Sequence, residues 1–122
     1  MPELVYKIIS IDFDGTITTS PMPSCASTIR PGAVEVITEL YNLGARLILN
    51  TCRTDVNLDE AIQFLYRHKI LRPFESINRN LPDVIKKYKG DSRKIFADVY
   101  IDDRNLGAKI DWYDIRKQLI ME

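Results

Sequence analysis

Apolar and polar residues follow two alternating patterns along the chain. Short runs that are mostly apolar, such as LVYKIISI at 4–11 and ARLILN at 45–50, are typical of strands that are covered on both faces. Between these runs, apolar residues recur at helical spacing, as Val34, Ile37 and Leu40 do, which indicates an amphipathic helix. The pattern therefore predicts strands that alternate with helices.

The predicted elements form one domain over 1–122. Pro31 suits the first position of a helix and Gly44 its end, and Asn57 with Glu60 resembles a capping box at the start of the next helix. Strands are predicted over 4–11, 45–50, 75–78 and 95–101, and helices over 31–44, from Asn57, over 81–89 and over 111–121, the last of which should bury Trp112, Ile115 and Leu119. This order predicts an α/β fold with a doubly wound, mainly parallel sheet.

Composition excludes several classes of protein. The 17 acidic residues balance 17 Lys and Arg, so there is no overall basic field for bulk nucleic-acid binding. No apolar stretch reaches the roughly 18 residues of a membrane span, and the start of the chain lacks the pattern of a signal peptide. Cys25 and Cys52 could form one disulfide, although reduced thiols are favoured. We therefore expect a cytoplasmic protein that does not bind membranes.

Polar side chains follow three of the predicted strands at the point where each strand ends. Asp12 and Asp14 follow the first, Asn50 and Thr51 lie at the end of the second, and an acidic pair at 102–103 follows the last. Ligands of open parallel sheets bind beyond the carboxyl ends of the strands, so we expect these residues at one edge. Two carboxylates 4 Å apart repel by about 4 kcal/mol at an effective dielectric of about 20. The pattern therefore predicts a cation site.

Magnesium is the cation that this set of residues favours. Carboxylate oxygens are hard ligands, and no His or Cys accompanies them in the motifs, which favours Mg²⁺. The predicted metal ligands are Asp12, Asp14 and Asp102, and Asp103 is expected just outside them, where it would orient water or a lysine. Gly15 lets the backbone approach a ligand closely.

These motifs resemble those of the haloacid dehalogenase superfamily of phosphotransferases. DFDGT at 12–16 is similar to the first motif of that family, and Thr51 at the end of LILNT looks like the second. Lys94 in SRKIFADVYIDD resembles the third motif, and the acidic pair at 102–103 resembles the fourth. The family's lysine often lies further upstream of the acidic pair, so three other lysines remain alternatives to Lys94: Lys86, Lys87 and Lys89.

The resemblance implies a Mg²⁺-dependent phosphatase. Asp12 would attack phosphorus and form an aspartyl-phosphate, and Asp14 would protonate the leaving oxygen and then activate water. Thr51 and the lysine would bind the phosphoryl oxygens. The full set of implied phosphate or substrate contacts is Gly15, Thr51, Cys52, Arg53 and Lys94, with Gly15 and Cys52 acting through their backbone amides. The Cys52 side chain itself is expected to pack inside the domain.

The spacing of the elements leaves no room for a cap domain. Only a loop separates Asp14 from Pro31, and helices of the sheet fill most of the chain between Thr51 and Lys94. The expected substrate is a phosphosugar, a nucleotide or an exposed phosphoryl group of a larger molecule. We also expect a homo-oligomer in which apolar residues of the loop at 17–29 help to cover the site, unless this loop folds back on its own domain.

Two other functions compete with a phosphatase. A signalling receiver domain has a similar length, sheet and set of residues, but receivers keep adjacent acids on the first strand and phosphorylate an aspartate on a later one. Here the D-x-D pattern comes first, and an acidic pair follows the lysine. A catalytically inactive binding module is the third interpretation, although every expected chemical group is present.

Overall fold

A computed structural model describes residues 1–20 and 28–122 of the chain. From Ile8 onward, strands and helices alternate as predicted. In chain order they are β1 (Glu3–Leu4), β2 (Ile8–Ile11), α1 (Ala33–Asn42), β3 (Arg46–Leu49), α2 (Asp55–Arg67), β4 (Phe74–Ile77), α3 (Pro82–Tyr88), β5 (Val99–Ile101), α4 (Trp112–Leu119) and β6 (Ile120–Met121).

Four strands form a parallel sheet in the order β4-β3-β2-β5. The chain builds this sheet outward from β2 through β3 to β4 and then returns to the opposite side of β2 to add β5. The direction in which strands are added to the sheet therefore reverses between β2 and β5. Such a reversal opens a crevice at the carboxyl ends of the two strands, which is where parallel α/β sheets bind ligands.

Helices cover both faces of the sheet, but they build cores of unequal size. The larger core joins Ile11 and Leu49 to buried residues of α1, α2 and α4. The smaller core packs Ile48 against Leu81 and Val84 near and within α3. This arrangement confirms the doubly wound α/β fold, and no cap domain is present over 1–20 and 28–122. It also confirms the predicted burial of three α4 side chains, Trp112, Ile115 and Leu119.

The prediction of one strand over 4–11 is wrong, because this run divides into two strands. β1 leaves the parallel sheet and pairs with β6 in antiparallel fashion, with Leu4 opposite Ile120. The last helix accordingly ends at Leu119, two residues before the predicted end. The apolar pattern identified extended chain here but carried no information about which partner strand it would meet.

Two further local predictions differ from the structure. Helix α2 begins at Asp55 after an N-cap at Thr54, so Asn57 lies inside its first turn and the predicted capping box is wrong. The Glu60 carboxylate instead lies 3.4 Å from Nη1 of Arg53. Strand β5 is also shorter than predicted, because residues 95–98 belong to the loop before it. None of the helices described is long and apolar enough to cross a membrane.

Candidate functional site

Three carboxylates converge where β2 and β5 end. Asp12 follows β2, and its backbone N–H donates to the Ile101 carbonyl of β5 at 2.9 Å. The side chains of Asp12, Asp102 and Asp103 each offer an oxygen within 4.8 Å of the others, and all three are half-buried. The structure thus brings Asp12 and Asp102 together at the crevice. The third carboxylate beside them is that of Asp103, whereas the sequence predicted Asp14 as the third metal ligand.

The electrostatics of this cluster fit a bound cation. Burial, the charge of Asp102 and a hydrogen bond with the Asp103 side chain raise the pKa of Asp12 to about 8. The Oδ1 atom of Asp103 is buried without a hydrogen-bond partner in the part of the chain described, which is costly for a charged oxygen. A divalent cation would stabilise the ionised form of Asp12 and would compensate the unpaired oxygen of Asp103. A set of three carboxylates suits the hard Mg²⁺ ion.

Lys94 lies in the same cleft as two members of the acidic cluster, Asp12 and Asp102. The cleft has a volume of about 230 Å³ and is lined by Ser10, Asp12, Asn50, Lys94, Tyr100, Ile101, Asp102 and Asn105. The Lys94 ammonium also lies 5.1 Å from the centre of the Tyr100 ring. The three alternative lysines are exposed on or just after α3 and do not line the cleft. Of the four lysines that the sequence offered, Lys94 is therefore the one that shares a cleft with Asp12 and Asp102.

Asp14 is not a member of the acidic cluster and forms an ion pair with Arg53. Its two carboxylate oxygens accept from Nε and Nη2 of Arg53, each at 2.8 Å. The pair is closed to solvent, with side-chain exposures of 3% for Arg53 and 2% for Asp14. Arg53 also donates from Nη1 to the Asn57 carbonyl at 3.0 Å and packs over the Phe13 ring. The predicted metal ligand and the predicted substrate contact thus bind each other.

Gly15 serves the acidic cluster through its lack of a side chain. Its φ of +75° lies in the left-handed region, and a Cβ at this position would overlap the Asp103 carboxylate. Its N–H, which was expected to bind phosphate, donates to Oγ1 of Thr18 at 3.2 Å. The neighbouring Thr16 joins the two acidic segments, because its Oγ1 donates to Asp12 at 3.3 Å and accepts from the Asp103 N–H at 3.0 Å.

Thr51 and Cys52 lie beside the cleft without lining it. The Thr51 hydroxyl accepts from the Arg53 N–H at 3.1 Å, and the Thr51 N–H donates to Oδ1 of Asn78 at 2.8 Å. The side chain of Cys52 is exposed, so the expectation that it packs inside the domain is wrong. Asn50, one residue before Thr51, is the member of this segment that reaches the cleft.

Several side chains of the site escaped the sequence analysis. Ser10 had a local signal, because it is a polar residue within the apolar run of β2. Its position two residues before Asp12 places it on the same face of the extended chain as Asp12. Asn105 also had a local signal, because it lies two residues after the acidic pair. Asn78 had no local signal, since its link to Thr51 spans 27 positions of the chain.

The ends of the loop at 17–29 point into their own domain. Ile17 is fully buried and Ile29 packs against the same core, and an antiparallel bridge joins Thr18 to Ile29. These two isoleucines are therefore occupied within the chain. The predicted contact with a second copy also involves four residues that lie outside the described part of the chain: Pro21, Met22, Pro23 and Cys25. A pairing of Cys25 with Cys52 lies outside it for the same reason.

The fold and the site define a small doubly wound α/β protein with an acidic cluster at the switch point of its sheet. Comparison with protein-family models and with curated proteins finds no match. The chain is similar to a solved structure described as that of the conserved protein coded by locus from Bacteroides thetaiotaomicron. The two are 37% identical, the TM-score is 0.78, and the match covers 91% of this chain and 87% of the other. The chain belongs to the same family as that conserved protein.

Proposed function

We propose that the protein is a Mg²⁺-dependent phosphatase of the haloacid dehalogenase superfamily. The observation that carries the proposal is that Asp12 and Asp102 line one cleft with Lys94 at the switch point of the sheet, and that Asp103 joins these two carboxylates in one acidic cluster. Phosphoryl transfer through an aspartate needs a nucleophilic carboxylate, oxygen ligands for a metal ion, and a positively charged side chain that binds the phosphoryl oxygens. The direct test is hydrolysis of p-nitrophenyl phosphate with Mg²⁺ and with EDTA.

In this mechanism Asp12 is the nucleophile. One of its carboxylate oxygens forms a bond to phosphorus while the bond from phosphorus to the ester oxygen breaks, and water later hydrolyses the aspartyl-phosphate. Lys94 binds the phosphoryl oxygens and stabilises their developing charge. When bound, Mg²⁺ would be held by Asp12, Asp102 and Asp103, and it would neutralise the repulsion between the nucleophile and the phosphate ester.

The role of Asp14 as general acid and base depends on its ion pair. In the described conformation Arg53 engages both carboxylate oxygens of Asp14. Delivery of a proton to the leaving oxygen therefore requires a conformation in which at least one of these oxygens leaves Arg53. Arg53 acts in the proposal as the partner that holds Asp14 between turnovers.

The proposed substrate is a phosphorylated small molecule, such as a phosphosugar or a nucleotide. The cleft is small, at about 230 Å³, and hydrogen-bonding groups of Ser10, Asn50 and Asn105 line it beside the charged residues. Such groups suit a polar, hydroxylated ligand. We also propose a cytoplasmic location, because two cysteines are too few for a disulfide framework and reduced thiols are then favoured. A homo-oligomer remains part of the proposal.

Lys94→Ala should lower the turnover of p-nitrophenyl phosphate by about 10²-fold or more, the scale of losing one donor to a developing oxyanion. Steady-state rates with saturating Mg²⁺ measure this effect. Lys87→Ala is the matched control, because Lys87 is exposed on α3 and its ammonium packs over its neighbour Tyr88. If Lys87→Ala or Lys86→Ala were the impaired variant, the assignment of Lys94 would be wrong.

Mg²⁺ should stabilise the folded protein, by about 2.7 kcal/mol at a concentration 100 times its Kd. Asp102→Asn should remove this response. In EDTA the same variant should be at least as stable as the wild type, because it loses one of three mutually repelling carboxylates. Urea unfolding with and without Mg²⁺ measures both effects. Asp59→Asn, an exposed change on α2, should keep the full response, and a full response in Asp102→Asn would contradict the site.

A further inference from the structure

The loop that carries Lys94 has no regular secondary structure of its own. It connects the end of α3 to β5, and residues 91–94 within it are exposed. Lys94 nevertheless has to present its ammonium to the cleft. Long side chains on irregular loops are held in place only if other groups fix the loop backbone, so the partners of this loop determine where the lysine lies.

One buried side chain, that of Asn80, binds both ends of the segment 91–96. Asn80 is 5% exposed. Its Nδ2 donates to Oδ1 of Asp91 and to the Ser92 carbonyl, each at 2.9 Å. Its Oδ1 accepts from the Phe96 N–H at 2.7 Å. Lys94 lies between these contacts, so the Asn80 amide closes a small loop with the lysine at its exposed side.

Two further hydrogen bonds act on the backbone close to Lys94. The Ser92 hydroxyl donates to the Lys94 carbonyl itself at 2.7 Å. The Tyr100 hydroxyl donates to the Ile95 carbonyl at 2.6 Å and accepts from the Ala97 N–H at 3.1 Å. Since the Tyr100 ring also lies under the Lys94 ammonium, the loop is held against β5 at the position where the lysine enters the cleft.

We propose that Asn80 is a positioning residue for Lys94, and that it affects phosphoryl binding and transfer through the lysine alone. Asn80 is not among the residues that line the cleft, so it has no direct contact with a ligand there. This inference rests on the proposed phosphatase function, because Asn80 can affect the rate only if Lys94 binds the phosphoryl group. A displacement of about 1 Å in a reacting group can cost about 10²-fold in rate.

A double-mutant cycle tests the inference. Asn80→Ala should lower kcat/KM for p-nitrophenyl phosphate by about tenfold or more, whereas adding it to Lys94→Ala should change the rate by less than about twofold, because the two residues act as one unit. A merely structural role would reduce the activity of the Lys94→Ala protein as well. Independent, additive effects of the two substitutions would overturn the proposal.

A milder pair of variants keeps the test valid if Asn80→Ala folds poorly. Ser92→Ala removes the hydroxyl that donates to the Lys94 carbonyl at 2.7 Å, and Ser76→Ala removes a hydroxyl that donates to the Arg79 carbonyl at the same distance. Ser92→Ala should lower kcat/KM by several-fold in the wild-type background and not in Lys94→Ala. Ser76→Ala should leave both unchanged. Equal effects of the two serine substitutions would count against positioning.

Hydrogen exchange separates a failure of this inference from a failure of the proposed function. Asn80→Ala should speed the exchange of the Phe96 amide, which donates to Asn80, and of the Ala97 amide, which donates to Tyr100, relative to amides of β3. This result requires no catalysis. A wild-type protein without phosphatase activity would refute the function while leaving the exchange test intact, and unchanged exchange at 91–97 would refute the role of Asn80.

Discussion

Asp12→Asn is expected to abolish the Mg²⁺-dependent hydrolysis of p-nitrophenyl phosphate while the protein stays folded. Asparagine has nearly the size of aspartate but cannot form the bond to phosphorus, so the loss should be at least about 10³-fold, as for other covalent nucleophiles. The amide oxygen can still accept from the Thr16 hydroxyl, which is 3.3 Å from Asp12. Initial rates and thermal unfolding of the same preparation measure activity and folding together.

The control for this experiment is Asp59→Asn, which makes the same chemical change on the exposed side of α2. It should keep full activity after an identical purification, which also excludes a contaminating phosphatase as the source of the signal. More than a few per cent of wild-type activity in folded Asp12→Asn would remove Asp12 as the nucleophile, even if the protein proved to be a phosphatase.

Arg53→Met is expected to lower the free energy of unfolding by about 3–5 kcal/mol, because it leaves a buried charge without its partner. Asp14 is 2% exposed and receives two hydrogen bonds from Arg53. Combining Arg53→Met with Asp14→Leu should recover much of the loss, since apolar replacement of a whole buried pair is often nearly neutral. Urea unfolding of the single and double variants measures both effects.

Arg46→Met provides a matched control for the buried pair. Arg46 also binds two carboxylate groups, with distances of 2.6 Å to Glu75 and 2.8 Å to Asp83, but the partners are 43% and 61% exposed. Solvent-exposed ion pairs contribute about 0–1 kcal/mol, so this variant should unfold at nearly the wild-type urea concentration. Equal losses for Arg46→Met and Arg53→Met would show that burial is not what makes the Arg53 pair important.

Local sequence pattern sufficed for most of the elements because it reflects local physics. The apolar run at 45–50 became β3, and the helical spacing after Pro31 became α1, each within about two residues of the predicted bounds. Where the prediction failed, a distant segment decided the outcome. β1 is separate from β2 because it pairs with the last residues of the chain, and no periodicity within 4–11 encodes that contact.

The sequence by itself determined the α/β class, the parallel sheet and the shared edge of Asp12 and Asp102. It could do so because strand ends at one edge follow from the order of strands and helices alone. Only the tertiary structure decided that Asp103 joins these two residues and that Asp14 turns away to bind Arg53, 39 positions along the chain. The physical reason is that the direction of a side chain beyond a strand end depends on the partners it meets there, and those partners come from distant parts of the chain.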